Sequence, residues 1–190
     1  MMIKLINQFA KSVVLSKTAS SQIEIYNEFS LQHEIGVFLR RHFPTSKVQF
    51  ERNIKHFSFS SNFIKKEIDI SVFSPNKDIL KYAIELKFPR NGQYPEQMYS
   101  FCRDIVFVEQ LKRAGFQRTF LIIFANDHLF YNGSGNGIYE YFRKGKKLHG
   151  TIKKPTGSKN TKLGIKGTYR VKWYAISSEL KYTIIEANNR

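Results

Sequence analysis

The chain has little cysteine, no long apolar stretch and no nucleotide-binding loop, and each absence excludes a class of protein. One cysteine, Cys102, in 190 residues excludes an intrachain disulfide and a cysteine-based zinc cluster, so we expect a cytoplasmic protein. The longest apolar run, residues 120–125, is far too short to span a bilayer. The glycine-rich residues 132–137 lack the G-x-x-x-x-G-K-[ST] pattern. We therefore expect no membrane partner and no nucleotide cofactor.

Acidic residues are scarce, with 15 Asp and Glu against 31 Lys and Arg and a net charge of +16. Residues 141–178 contain no acidic residue and carry +11 of that charge. A polyanionic partner explains this asymmetry, and the interleaved Gly, Ser, Thr and Asn residues can also reach phosphates. A basic tail without a specific role and a patch for anionic membranes are the alternatives. The candidate nucleic-acid-binding residues are Arg143, Lys144, Lys146, Lys147, Lys153, Lys154, Lys159, Lys162, Lys166, Arg170 and Lys172.

The apolar periodicity predicts alternating helices and strands in one domain of ordinary size. Ser30 is the predicted N-cap of the second helix, and Pro44 ends it. Gly115 is a natural stop for the long third helix. The predicted helices cover residues 1–15, 30–43, 95–114 and 138–145, the predicted strands cover 48–54, 64–72, 80–88, 118–125, 168–177 and 180–187, and a mobile basic loop covers 153–167.

Two consecutive predicted strands carry the candidate catalytic and metal-binding residues. In residues 80–88 the even positions are apolar, so Glu85 and Lys87 lie side by side on the other face. Asp69 lies opposite the apolar face of the preceding strand, and turn-forming residues 74–78 join the two strands. An antiparallel hairpin therefore brings Asp69 close to Glu85 and Lys87. Two carboxylates suit Mg²⁺, and a lysine beside them can hold a water molecule and stabilise charge on a phosphate.

The pattern Asp69…Glu85-x-Lys87 resembles that of the PD-(D/E)XK nuclease superfamily, over roughly residues 26–131, although Ile68 replaces the proline that often precedes the aspartate. The resemblance implies an α/β fold with a mixed central sheet flanked by helices. It implies a restriction-endonuclease-like α-β-β-β-α-β core, the same order that the periodicity predicts. The chain length predicts one domain, and the basic charge predicts a DNA-contacting extension from about residue 132. The resemblance also implies Mg²⁺, with Mn²⁺ as a substitute, bound by Asp69, Glu85 and the backbone carbonyl of Leu86, with Lys87 as the catalytic lysine.

A glutamate on the first core helix often reaches the active site in this superfamily. Glu34 matches that position, because it projects from the edge of the helix face that carries Leu31 and Phe38. A simple ion pair between Glu34 and either Arg41 or a neighbouring lysine is the alternative. Glu28 is the substitute candidate for the same role.

The resemblance implies Mg²⁺-dependent hydrolysis of phosphodiester bonds in double-stranded DNA. By analogy we expect a restriction-type endonuclease that acts as a homodimer, in the cytoplasm and on the nucleoid when bound to DNA. A nuclease of the same superfamily that acts on junctions, flaps or RNA is an alternative. So is a protein of this fold that binds nucleic acid without cutting it. A ribosome- or RNA-associated basic protein is supported by charge alone.

Overall fold

The chain forms a mixed α/β fold built around one six-stranded sheet. The structure, a computed structural model, describes residues 2–16, 25–59, 62–90, 92–157 and 161–188. In chain order the helices and strands are α1 (Met2–Ser16), α2 (Glu28–His42), β1 (Lys47–Asn53), β2 (Glu67–Phe73), β3 (Leu80–Lys87), α3 (Tyr94–Ala114), β4 (Arg118–Ala125), α4 (Ile138–Arg143), β5 (Leu148–Lys153), β6 (Lys162–Tyr169), β7 (Tyr174–Ala175) and β8 (Lys181–Glu186).

The sheet is mixed, with strand order β1-β2-β3-β4-β8-β7. β1, β2 and β3 form an antiparallel meander, and α3 then crosses over to β4, which pairs parallel with β3. β8 pairs antiparallel with β4, so the end of the chain completes the central sheet and is more than a basic extension. The predicted α/β class and the predicted mixed sheet flanked by helices are confirmed.

Both faces of β3 and β4 are buried. On one face, α1 and α2 pack against Tyr82, Ile84 and Leu86 of β3. On the other face lie α3, α4 and a separate hairpin of β5 and β6. The face of β3 that carries Glu85 and Lys87 is therefore covered, and Glu85 is 0% exposed. None of the described helices is long and apolar enough to cross a membrane.

Helix α2 begins before the predicted N-cap. Asn27 is the N-cap, because its side chain accepts a 2.8 Å hydrogen bond from the Ser30 backbone amide, and the Ser30 hydroxyl accepts one from the Asn27 amide at 3.0 Å. This reciprocal pair is a capping box, with Ser30 as the third helical residue. The prediction that Ser30 caps the helix was wrong, and the correct start places Glu28 in the first turn.

The basic segment of the C-terminal half is more ordered than predicted. Much of residues 153–167 belongs to the β5–β6 hairpin, because Leu163, Ile165 and Tyr169 alternate toward the core on the α3 side of the sheet. The predicted strand over residues 168–177 was also wrong. Its first two residues end β6, and only β7 pairs with β8. Lys159 lies outside the described residues.

Candidate active site

Asp69 and Glu85 meet where the β2–β3 ladder opens. Regular pairing between these strands includes Ile70 opposite Ile84 but does not continue to Asp69. Beyond the Ile70–Ile84 pair, hydrogen bonds from backbone amides to side-chain carboxylates replace the backbone hydrogen bonds of the ladder. The Leu86 amide donates to Asp69 Oδ2 at 2.6 Å, and the Asp69 amide donates to Glu85 Oε1 at 3.3 Å. The hairpin therefore brings the two predicted carboxylates together.

Two charged residues that were not among the predicted site residues complete the cluster. Lys65, just before β2, forms ion pairs with Glu85 and with Asp104 Oδ1, the latter at 3.2 Å. Lys87 Nζ lies 3.9 Å from Asp104 Oδ2. Asp104 is almost fully buried on α3, next to the predicted apolar residue Ile105. A carboxylate on a buried helix face needs a partner, and that sequence signal identifies Asp104 in retrospect.

The glutamate that α2 contributes is Glu28. Its carboxylate accepts hydrogen bonds from Lys87 Nζ at 3.0 Å and from the Phe88 amide at 3.2 Å. Glu34 instead contacts His33 at 3.0 Å, on the partly exposed side of the helix. The structure does not place Glu34 at the cluster, because Gln32 and Glu28, four residues apart, lie on the site-facing side of the helix, and Glu34 does not share that face.

A small pocket opens beside Asp69, between α2 and the sheet. Gln32 Nε2 donates to Glu51 Oε1 at 2.5 Å and to the Asp69 carbonyl at 2.7 Å. Glu51 has a left-handed backbone with φ 49°, which is costly for a residue other than glycine and is found preferentially at functional sites. The pocket has a volume of about 40 Å³, and a water molecule takes up about 30 Å³ in the liquid, so the pocket is large enough for a water molecule. Its lining residues are Glu28, Phe29, Gln32, Glu51, Asp69 and Leu86.

Leu86 lines this pocket together with Asp69. Its amide faces Asp69. Since the amide and carbonyl of one strand residue face the same neighbouring strand, the Leu86 carbonyl is also directed toward β2. That is the direction required by the prediction that this carbonyl joins Asp69 and Glu85.

Burial raises the pKa values of the carboxylates in the cluster. It raises the pKa of Asp69 to about 6, even though Lys87 and Lys65 favour the charged form. Burial and the neighbouring Asp69 raise the pKa of Glu85 well above its usual value. Burial also raises the pKa of Asp104, against the effect of the two lysines. The carboxylates therefore hold protons more tightly than exposed ones and would release them to a cation.

The two lysines are held in the charged form. Burial disfavours the ammonium of Lys65, but Glu85, Asp104 and Asp69 outweigh this effect and raise its pKa. For Lys87, Asp104 and Glu28 likewise outweigh burial and raise the pKa. Neither lysine is suited to accept a proton near neutral pH. Both are suited to donate hydrogen bonds to an anion.

The cluster fits a divalent cation that binds few protein ligands. Glu28, Asp69, Glu85 and Asp104 face two ammonium groups, which leaves an excess of two negative charges when all are ionised. Among the described residues, Asp104 Oδ2 is buried without a hydrogen-bond partner. In the same part of the chain, no three His, Cys, Asp or Glu residues form a metal-binding group. Mg²⁺ does not need three, since it keeps several waters beside one or two carboxylates.

The predicted basic residues divide into two groups. The Arg143 guanidinium donates to the backbone carbonyls of Leu129 and Ser134, so it anchors α4, and the prediction that it contacts phosphate loses support. Lys146 pairs with Glu140 at 2.9 Å, and Arg170 donates to the Gly145 carbonyl at 3.1 Å. The other described lysines of the predicted set are partly or fully exposed and are Lys144, Lys147, Lys153, Lys154, Lys162, Lys166 and Lys172.

On the β5–β6 hairpin, lysines face each other across the strands. Lys153 pairs directly with Lys162, and Lys166 projects from the same outer face of β6. Like charges directly opposite each other destabilise a hairpin. A bound polyanion would remove that repulsion, so this arrangement favours a phosphate-binding surface.

Comparisons with known proteins found no matching family model, no matching curated protein and no matching solved structure.

Proposed function

We propose that this protein is a Mg²⁺-dependent nuclease that hydrolyses phosphodiester bonds in DNA. The observation that carries the proposal is the convergence of Asp69, Glu85 and Lys87 in a buried, charged cluster beside a small pocket. The element order supports a restriction-endonuclease-like core, because an antiparallel meander is followed by a crossover helix and a parallel strand. We assign the protein to the PD-(D/E)XK superfamily on these grounds, as a restriction-type enzyme that cuts duplex DNA as a homodimer.

Asp69, Glu85 and the Leu86 carbonyl are the groups that would hold Mg²⁺, with Mn²⁺ as a substitute. When bound, the ion polarises a phosphate oxygen and lowers the pKa of a water molecule. Asp69 and Glu85 are suited to this role because their raised pKa values are lowered by a nearby positive charge.

Lys87 positions the attacking water and stabilises the negative charge that develops on the phosphate during the reaction. Its ammonium remains protonated, so it donates hydrogen bonds to the attacking water and to a non-bridging phosphate oxygen. Water attacks phosphorus and loses a proton to solvent, while the P–O bond to the leaving sugar breaks and the leaving oxygen takes up a proton from solvent to become a hydroxyl. Glu28 holds Lys87 in place by the 3.0 Å contact between Nζ and Oε1. In this arrangement Lys87 acts directly, and Glu28 acts through it.

The surroundings of the cluster suit a nucleic-acid strand. The exposed lysines of the β5–β6 hairpin supply positive charge on the α3 side of the sheet. Phe29, which lines the pocket beside Asp69, is 72% exposed. Large exposed aromatic side chains provide stacking surfaces for bases, at about 1–3 kcal/mol per base.

Plasmid cleavage with Lys87→Ala tests the proposal. We expect wild-type protein to cut supercoiled plasmid in Mg²⁺ but not in EDTA, and Lys87→Ala to lower the rate at least about 100-fold. Lys81→Ala is the control, a lysine on the same strand but at the opposite end from the cluster, with its ammonium over the Phe43 ring. Full activity in Lys87→Ala, or equal loss in both variants, would contradict the role of Lys87. Linear duplex, four-way junction, flap and RNA substrates, assayed in parallel, identify the preferred substrate.

A second candidate function is binding of nucleic acid without cleavage. It is favoured by Lys65, whose ammonium already pairs with both Glu85 and Asp104. Titration with Mn²⁺ separates the two functions. A nuclease binds the ion at Asp69 and Glu85 and loses that binding in Asp69→Asn. A pure binding protein gives no Mn²⁺ signal that depends on these carboxylates.

A further inference from the structure

A second and larger pocket lies between α3 and the β5–β6 hairpin. Its volume is about 540 Å³, within the range typical of small-molecule sites. The wall on one side is formed by α3 through Tyr99, Ser100 and Arg103, and the wall on the other side includes Lys162 and Leu163 of β6. This pocket is separate from the small pocket beside Asp69, and the two share no lining residue.

The charge of the pocket favours an anion. Arg103, Lys154 and Lys162 line it, and Glu96 is its one acidic residue. The Glu96 carboxylate already accepts a hydrogen bond from the Thr156 hydroxyl, which fastens the hairpin to the start of α3. Three cationic side chains facing one engaged carboxylate leave an excess of positive charge, and Arg and Lys are the usual phosphate ligands.

The same pocket also offers an apolar surface and an unsatisfied hydroxyl. Ile64, Leu163 and Tyr99 provide apolar and aromatic atoms beside the cations. Tyr99 is 8% exposed, and within the described part of the chain its buried hydroxyl has no hydrogen-bond partner. Buried polar groups rarely lack partners in folded proteins. A ligand with a phosphate, a flat apolar ring and polar ring atoms would match all of these features.

The pocket adjoins the candidate active site. The Arg103 guanidinium donates to the Ile64 carbonyl at 3.1 Å, so these two residues form a continuous wall. Ile64 immediately precedes Lys65, and Arg103 immediately precedes Asp104, with consecutive Cα atoms about 3.8 Å apart. A ligand in this pocket therefore contacts two residues, Ile64 and Arg103, whose chain neighbours Lys65 and Asp104 belong to the charged cluster that contains Glu85.

We propose that this pocket binds one nucleotide of the substrate strand, next to the phosphate that the active site attacks. The phosphate contacts Arg103, Lys154 and Lys162, and the base packs against Ile64, Leu163 and the Tyr99 side chain. This proposal depends on the proposed nuclease function for the identity of the strand. The chemical class of the ligand, a nucleoside monophosphate unit, follows from the residues that line the pocket.

Calorimetric titration of the full chain in EDTA tests the nucleotide chemistry. Deoxyadenosine 5′-monophosphate is expected to bind at least tenfold more tightly than deoxyadenosine or inorganic phosphate, because only the nucleotide uses both halves of the pocket. Equal affinity for phosphate and nucleotide would overturn the proposal in favour of a simple anion site, and no detectable nucleotide binding would also overturn it.

Matched variants locate the binding. Ser100→Phe fills the pocket from the partly exposed surface of α3 and is expected to weaken nucleotide binding at least tenfold, whereas Ser100→Ala leaves it within twofold. Lys162→Ala is expected to weaken binding severalfold. Lys4→Ala, which removes an exposed lysine on α1, is expected to have no effect. Binding that survives Ser100→Phe would place the nucleotide elsewhere and refute the assignment.

A competition experiment separates a strand from a free nucleotide. A short single-stranded oligonucleotide is expected to displace a fluorescent nucleotide from wild-type protein. Failure of a saturating oligonucleotide to displace it would assign the pocket to a free nucleotide and overturn the strand proposal. All these binding measurements are made without divalent cations, so they do not depend on cleavage. An absence of cleavage in Mg²⁺ would refute the nuclease function but would leave the binding results unchanged.

Discussion

The carboxylate of Asp69 accepts a 2.6 Å hydrogen bond from the backbone amide of Leu86, the residue that separates Glu85 from Lys87. This bond ties the aspartate of β2 directly to the strand that carries the other two proposed catalytic side chains. A one-residue slip of β2 against β3 would send Asp69 to the opposite face of the sheet. The bond therefore fixes the register on which the whole cluster depends.

Asp69→Asn is expected to stabilise the fold at neutral pH while it abolishes cleavage. The pKa of Asp69 rises from 3.8 to about 6 on folding, so its ionisation lowers the stability of the folded state progressively between pH 3.8 and 6, fully above pH 6 and hardly at all below pH 3.8. At about 1.4 kcal/mol per unit, the gain is up to about 3 kcal/mol at pH 8 and near zero at pH 3.5. Urea unfolding at both pH values measures it.

Glu67→Gln is the control for this measurement, because Glu67 is an exposed carboxylate two residues away on the same strand. It is expected to leave the free energy of unfolding within about 0.5 kcal/mol of wild type. A stability gain in Asp69→Asn that is equally large at pH 3.5 would contradict the assignment to ionisation.

Mn²⁺ affinity is expected to rise with pH between 5 and 7, because Asp69 loses its proton in this range. Below pH 6 a proton on Asp69 competes with the ion, so affinity falls about tenfold per pH unit for that group alone. Protonation of Glu85, whose pKa is also raised, steepens the fall. Calorimetry in buffers of different ionisation enthalpy is expected to detect proton release on binding at pH 6. Binding independent of pH over this range would exclude these carboxylates as ligands.

Glu28→Gln is expected to slow cleavage at least tenfold, and Glu34→Gln is expected to leave it within twofold. Glu28 bonds to Lys87 and to the Phe88 amide, whereas Glu34 contacts His33 on the partly exposed side of the same helix. The neutral amide weakens the hold on the Lys87 ammonium. Initial rates of plasmid cleavage measure both variants. The reverse order of effects would restore Glu34 as the helical glutamate of the site.

Replacing Lys153, Lys162 and Lys166 by alanine is expected to reduce the salt dependence of DNA binding. Each phosphate contact contributes about 0.9 to the slope of log K against log salt, so the slope should fall by up to about 2.7. Anisotropy titrations between 50 and 200 mM salt measure it. A second triple variant, at the exposed residues Lys4, Lys11 and Lys47, removes the same charge elsewhere and is expected to change the slope by much less.

Glu109→Gln is expected to loosen the β5–β6 hairpin from α3. The buried Glu109 carboxylate accepts hydrogen bonds from the Gly167 amide at 2.6 Å, the Tyr169 hydroxyl at 2.9 Å and the Lys166 amide at 3.1 Å. Glutamine keeps one acceptor oxygen, but its NH₂ group is a donor and would face the remaining donors without accepting from them. A loss of about 2–4 kcal/mol in unfolding free energy is expected.

The double variant Glu109→Gln with Tyr169→Phe tests that account. Since both residues share one hydrogen bond, the combined loss is expected to be smaller than the sum of the two single losses. DNA affinity should fall with the hairpin displaced, while Mn²⁺ binding at Asp69 and Glu85 should be retained. Strict additivity would mean that the carboxylate and the phenol are not coupled.

The parts of the site that were predicted correctly are local ones. The alternation along β3 and the turn after β2 bring Asp69 into contact with Glu85 and place Lys87 two residues beyond it, because strand period and hairpin connection act over few residues. The placement of the helical carboxylate failed because it depended on the helix start. The Asn27 capping box lies outside the apolar pattern, and it places Glu28 in the first turn of α2.

The sequence by itself determined the class of the fold, the central strands and the aspartate, glutamate and lysine of the hairpin, since all of these follow from side-chain periods and short turns. Tertiary packing alone decided what surrounds them. Lys87 meets Glu28 across 59 residues of chain, and Lys65 meets Asp104 only because α3 covers the sheet face that a hairpin on its own would leave in water. Burial then sets the pKa values of the cluster, because desolvation is a property of the assembled layers and of no single segment.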